Sequence, residues 1–302
     1  MLKSLSRTVL CAAIALSAAV PALAQPVELD WKFEPGSTHK YRTEVTQNQT
    51  ISGAQFPQPM KVSQKTGLDV SYEVLGVEDG VATIKVTTDA VRMHMTNAMM
   101  GMDTKYDSTV DDQPPATLEP LESLIGTNYS VSIDPTGKVT KVEGVAELLE
   151  KLTQGGNPMA GQMLGAMLNE DAIKTQFEQQ FRLLPENPVG EGDTWATTTG
   201  FPLPGVGALS VKTNYTYKGD SQVADASDHV AFDGQAEFKG EQNGQFDVSL
   251  EQSDISGSFD FSRGLGQLVR LEQTLDMILN VQQGGMDLKV EMAQVTKLSR
   301  LD

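Results

Sequence analysis

The stretch Leu271-Glu272-Gln273-Thr274-Leu275-Asp276-Met277-Ile278-Leu279-Asn280-Val281 decides the fold. Leu271, Leu275, Met277, Leu279 and Val281 share one face of a two-residue period, opposite Glu272, Thr274, Asp276 and Asn280. Successive side chains of a strand point to opposite faces, so the alternation describes a strand with one face on a core and one in water. Half-wet strands of this kind belong to antiparallel sheet.

Outward from this stretch the pattern repeats. Met286, Leu288, Val290 and Met292 alternate with Asp287, Lys289 and Glu291, and Val211, Thr213, Tyr215 and Tyr217 with Lys212, Asn214 and Thr216. Tyr129, Val131 and Ile133 alternate with Ser130 and Ser132. Turn sequences punctuate the strands at Glu78-Asp79-Gly80, Asp134-Pro135-Thr136-Gly137, Gln242-Asn243-Gly244 and Gln283-Gly284-Gly285. The expectation is a mainly β, antiparallel, strongly curved sheet or half-barrel.

Parts of the pattern occur twice. Pro35-Gly36-Ser37-Thr38-His39-Lys40-Tyr41 opens a strand, as does Val189-Gly190-Glu191-Gly192-Asp193-Thr194-Trp195. Ser132 to Val139 and Asp260 to Leu268 each read as strand, Gly-bearing turn and returning strand. Two similar β halves explain this, although turns that admit few residue types would also produce it. Between them lies a helical insertion, residues 144–184. Val145, Leu148, Leu149 and Leu152 mark a first helix, Met159, Met163, Leu164, Met167 and Leu168 a second, and Ile173, Phe177 and Phe181 a third. The domain reading is a leader at 1–24 and one β-rich domain at 25–302, with a first β half at 25–143 and a second at 185–302.

Residues 1–24 read as a cleavable export signal. Lys3 and Arg7 precede a small and apolar run from Thr8 to Val20, and Ala22-Leu23-Ala24 supplies the cleavage site. The run is too short to span a bilayer, so no integral membrane segment is expected after cleavage, and the location is periplasmic or secreted. Cleavage removes two cations and no acid, taking the net charge from −17 to −19. So acidic a chain disfavours nucleic acid as a partner. The single cysteine, Cys11, leaves with the signal, so no disulfide or cysteine nucleophile is expected in the mature chain.

No catalytic constellation stands out. His39, His94 and His229 are isolated and read as single surface residues, no G-x-S-x-G elbow is present, and no cofactor motif is found. The pairs Asp111-Asp112 and Glu170-Asp171 lack the alternating acids of a calcium loop. Met93-His94-Met95, followed by Met99, offers soft thioether sulfur of the kind that binds Cu(I); the favoured reading of the same residues is adaptable core filling. Trp31 and Trp195 read as anchors of the strands they open.

The stretch Leu184-Pro185-Glu186-Asn187-Pro188-Val189-Gly190-Glu191-Gly192-Asp193-Thr194-Trp195, continued by Pro202-Leu203-Pro204-Gly205, Val211 to Tyr217 and Tyr106-Asp107-Ser108, resembles an uncharacterised family of exported bacterial proteins, the domain of unknown function numbered 6263. The resemblance implies export and a β-rich fold and brings no catalytic residues. The functional expectation is non-catalytic: an apolar small molecule or partner segment held between sheet and helices, with Met163, Met167, Phe177 and Phe181 as its lining. An envelope protein bound at strand edges or on the acidic face is the alternative, and copper handling through Met93, Met95 and Met99 a third.

Overall fold

The first and last strands of the chain lie side by side. The structure, a computed structural model, describes residues 25–54, 56–116, 118–154, 169–203, 207–222, 226–240, 247–283 and 286–302. The leader at 1–24, the second helical stripe with Met163 and Met167, and the turns at 242–244 and 284–285 lie outside the described residues.

The strands in chain order are β1 (Thr38–Gly53), β2 (Met60–Glu78), β3 (Val81–Asn97), β4 (Met102–Asp107), β5 (Asn128–Ile133) and β6 (Val139–Glu143), then β7 (Thr194–Leu203), β8 (Gly207–Asp220), β9 (Asp228–Gly240), β10 (Asp247–Ser262), β11 (Gln267–Gln283) and β12 (Met286–Arg300). They form one 12-stranded sheet in the order β6-β5-β3-β2-β1-β12-β11-β10-β9-β8-β7, with β4 added on β3. Every pairing is antiparallel. Because β1 pairs with β12, the two ends of this strand series meet in the middle of the sheet, and β6 and β7 lie at its two ends. The alternating stretch at 271–281 lies inside β11, and the one at 286–292 inside β12.

The segment between β6 and β7 carries α2 (Val145–Gln154) and α3 (Glu170–Phe181); a single turn, α1 (Glu119–Glu122), lies earlier. The helix start at α3 follows from its sequence. Asn169 Oδ1 accepts from the Ala172 amide at 2.8 Å, and Glu170 and Asp171 meet the positive end of the helix dipole. Ile173, Phe177 and Phe181, at i, i+4 and i+8, form its buried face.

That face packs on Ile84, Val86, Val131, Ile133 and Val139 at one end of β3, β5 and β6. Gly137, in the β5–β6 turn, has φ +77°, and its bare Cα lets the turn approach the Phe181 carbonyl closely. A second cluster, built on Tyr215, Val230, Phe232, Phe259 and Phe261, fills the same end of β8 to β10.

The segment before β1 joins the two clusters. Val27 bridges to Val189, Lys32 donates its amide to the Gly266 carbonyl, and Gly36 donates to Val74. Trp31 packs against both clusters, edge-on to Phe181 at 4.7 Å and to Phe261 at 5.3 Å. The sequence led us to expect a short strand around Trp31. The segment is instead irregular, because the indole is held by tertiary contacts and not by a ladder. One end of the sheet is thus covered by α3 and this segment.

Candidate functional site

Pairing register assigns every strand residue to a face. Tyr41, Thr43, Val45, Gln47, Gln49 and Ile51 of β1 share the face that carries α3, since Tyr41 pairs with Val70 and that parity leads through Tyr72 and Val86 to the helix cluster. The same face continues on β12 through Leu288, Val290, Met292, Gln294 and Thr296, and on β11 through Leu275, Met277, Leu279 and Val281. From the row of Thr43 to the hairpins at the far end, this inner face carries no Asp, Glu, Lys or Arg among the described residues.

Charges lie on the opposite face. Arg42 and Arg92 both clamp Asp69 there, Lys85 meets Glu73, Lys297 meets Glu272 and Lys289 meets Glu251. The double clamp holds the Asp69 carboxyl down at about 2, chiefly through the Arg42 hydrogen bonds.

Ile51, Val62, Leu250, Leu279, Leu288 and Val290 belong to neither core cluster, yet each is only half-exposed. At the α3 end the face is covered by Phe177 and Phe181. The phenols there stay neutral: burial pushes Tyr72 up to about 12 and raises Tyr41 and Tyr129 as well.

Across the middle of this face run the amides of Gln64, Gln47 and Gln294, adjacent in one row of the register, with Gln49 in the next row. Gln47 donates to the Met292 sulfur at 2.9 Å, Gln64 to Thr66 at 3.1 Å and Gln294 to Thr296 at 3.1 Å.

The residues singled out from the sequence are placed as follows. Phe177 and Phe181 are stacked at 6.0 Å and 2% and 4% exposed, forming the floor of the closed end. Met163 and Met167 are outside the described residues. Met93 and Met95 sit half-buried on the inner face beside Thr66 and Gln64, while Met99 is exposed in the turn after β3. His94, between the two methionines, points to the other face and meets Asp103 at 2.8 Å. Two histidines read as single residues are thus paired, since His229 also contacts the buried Asp260 at 2.8 Å. His39 lacks such a carboxylate bond; burial, then Arg300, lowers its pKa.

Sequence reasoning missed the glutamine row. Gln47 and Gln49 alternate with Thr46 and Asn48, so both faces of β1 look polar, and only the pairing with β12 shows which is which. Among the described residues no group of three or more His, Cys, Asp or Glu is arranged to hold a metal, and no helix is long and apolar enough to cross a membrane. A separate cleft of about 400 Å³ lies beside Asp220, Ser227 and Arg263 at the closed end.

A family described as "Family of unknown function (DUF6263)" matches residues 79–260. No curated protein matches. Among solved structures, one of lipid–protein interactions in lipovitellin is similar, with a TM-score of 0.49 and 13% identity over 90% of this chain and 26% of that one. This chain therefore spans about a quarter of that relative's length. The β domain of the Bordetella autotransporter Brka is similar with a TM-score of 0.27 and 8% identity, over 88% of this chain and all of the other. Pseudomonas aeruginosa OccK11 (OpdR) is similar with a TM-score of 0.25 and 8% identity, over 91% and 100% of the two chains.

Proposed function

The chain belongs to the family of unknown function DUF6263, and we propose that it is an exported, non-catalytic protein that holds an apolar ligand in the concavity of its sheet. The observation that carries this reading is the charge-free inner face. Its apolar rows at Ile51, Val290, Leu279 and Leu250 have no described element packed over them, and the ion pairs alongside them, Lys289 with Glu251 and Lys297 with Glu272, lie on the opposite face. Keeping ionised groups off a concave surface removes the desolvation cost that an apolar ligand would otherwise impose on entry. Periplasmic residence after loss of residues 1–24 belongs to the same reading. So does descent from two similar sets of strands, β1–β6 and β7–β12, with 144–184 inserted between them. The repeated openings at Pro35–Tyr41 and Val189–Trp195 support that origin.

The test is saturable binding. The protein, purified without detergent, is titrated with N-phenyl-1-naphthylamine, an uncharged apolar fluorophore, and a solvent extract is taken for mass spectrometry. Saturable enhancement that Leu279→Glu or Val290→Glu weakens at least tenfold supports the reading. An unsaturable response that neither variant changes overturns it.

A second reading rests on β7. This edge strand, Thr-Trp-Ala-Thr-Thr-Thr-Gly-Phe-Pro-Leu, has no charged residue, whereas the opposite edge, β6, is short and carries Lys141 and Glu143. Long uncharged edges invite strand addition by another protein. Site-specific crosslinking from Thr198 in cells reads it out; the absence of any discrete adduct would end it.

A further inference from the structure

The glutamine row restricts which apolar ligand the concavity suits. Resting on the reading above, we infer that the ligand is an uncharged acyl ester, a lipid whose carbonyl groups meet Gln47, Gln64 and Gln294 while its chain lies along Ile51, Val290 and Leu279. Three observations converge.

The first is position. Gln64, Gln47 and Gln294 occupy adjacent strands in one row, forming a polar band across β2, β1 and β12. From that band to the row of Gly53 and Leu288 the strand runs six residues, about 20 Å, and β1, β11 and β12 present mainly Ile51, Val290, Leu279, Leu288 and Val281 over that length. A polar band followed by an apolar run matches a molecule with a carbonyl at one end of a chain.

The second is satisfaction. Gln47 points its amide nitrogen at the Met292 sulfur at 2.9 Å, and Gln49 points at the same sulfur at 3.9 Å. Thioether sulfur is a weak acceptor, so two amide donors are aimed where a stronger acceptor would gain. A carbonyl oxygen is such an acceptor, and Met292 can turn aside because its side chain is unbranched and flexible.

The third is charge. The inner face holds no cation at this depth among the described residues, so an anionic headgroup brought to the glutamine row would lose its hydration without a counter-charge. Amides offer donors and acceptors but no net charge, which suits esters and disfavours phosphate or sulfate.

Competition measures the class directly on the unmodified protein. Hexadecane, methyl hexadecanoate and hexadecyl sulfate, each below its aggregation concentration, are titrated against bound N-phenyl-1-naphthylamine. The ester should displace the fluorophore at a concentration at least tenfold below the alkane and the sulfate. In Gln47→Leu/Gln64→Leu/Gln294→Leu the ester should lose that advantage while hexadecane still displaces. Equal displacement by ester and alkane, or by ester and sulfate, overturns the assignment of an ester but leaves an apolar site. Should none of the three displace the fluorophore, the apolar site itself is refuted.

Discussion

Trp31 donates its indole N–H to the backbone carbonyl of Phe181 across 2.9 Å, although 150 residues separate them. The bond ties the segment before β1 to the last residue of α3, and the ring is wedged between Phe181 and Phe261. A second tryptophan does the same nearby, since Trp195 donates to the Leu183 carbonyl at 2.9 Å while stacking on Tyr215. Two indoles from distant parts of the chain thus satisfy carbonyls at and just beyond the C-terminal end of one helix; that of Phe181 is among the last helical acceptors, which lack intrahelical donors.

Trp31→Phe keeps an aromatic wedge but leaves the Phe181 carbonyl without this donor, and should cost about 1–2 kcal/mol. Trp31→Ala also removes the ring from between two clusters and should cost about 3–5 kcal/mol. Urea unfolding followed by fluorescence of the remaining Trp195 measures both. Equal losses for the two variants would show that the hydrogen bond and not the packing dominates.

Acid stability should depend on Asp69. Arg42 and Arg92 each hold the carboxylate with two nitrogens at 2.8–3.1 Å, and its side chain is 12% exposed. Its pKa falls to about 2 when folded, below the ordinary 3.8, so the ionised form is favoured by folding. The resulting stability is full above about pH 4 and is lost as pH drops through 2. Discounted for solvent screening, it amounts to about 1–2 kcal/mol. Asp69→Asn should show that deficit at pH 7 and converge on the parent as pH falls from 4 to 2. Urea midpoints at several pH values test this, and a deficit that stays constant across the range contradicts it.

Gly257 marks a point of tight packing on the inner face. It pairs with Gln273 and Phe232, and an added Cβ would come within 2.5 Å of the Phe232 ring while overlapping the β11 backbone. Gly257→Ala should therefore cost about 1–3 kcal/mol or more through overpacking. Gly200 in β7 has open space around it, so Gly200→Ala should lie near neutrality. Thermal unfolding of the pair makes the comparison. A neutral Gly257→Ala would mean that β9 and β11 can move apart at that point.

How much of this was legible in the sequence follows from the range of the interactions. The β11 and β12 stretches declare themselves because their apolar and charged residues separate cleanly at period two. The α3 stripe is equally plain, with Ile173, Phe177 and Phe181 four apart. The pairing of β1 with β12 is not, because it joins the two ends of the domain and leaves no local trace. The make-up of the inner face depends on that pairing. Gln47 reads as a wet residue until Gln294 and Gln64 are placed beside it on the face shared with Tyr41. Phe177 and Phe181 read as apolar from the sequence, and only their contacts show that they pack together in the cluster under α3.

The closed end also holds a buried carboxylate whose partners should rank in a definite order. Asp228 is fully buried, accepts the Tyr217 hydroxyl at 2.6 Å on one oxygen and the Arg263 Nε at 2.6 Å on the other. Burial, and then the neighbouring carboxylate, raises the Tyr217 pKa, so the phenol remains a donor at any pH at which the fold survives. Removing Tyr217 as Phe takes one neutral donor away and leaves the charge compensated, for about 1–2 kcal/mol. Removing Arg263 as Met strips the counter-charge from a carboxylate that has no access to water, and should cost about 3 kcal/mol or more. In Asp228→Asn/Arg263→Met neither charge remains, so part of that loss should return even though a second residue has been changed. Urea unfolding of the three variants gives the order. A double variant less stable than Arg263→Met alone would show that Arg263 acts there through packing, and that the charge on Asp228 is not what its partners compensate.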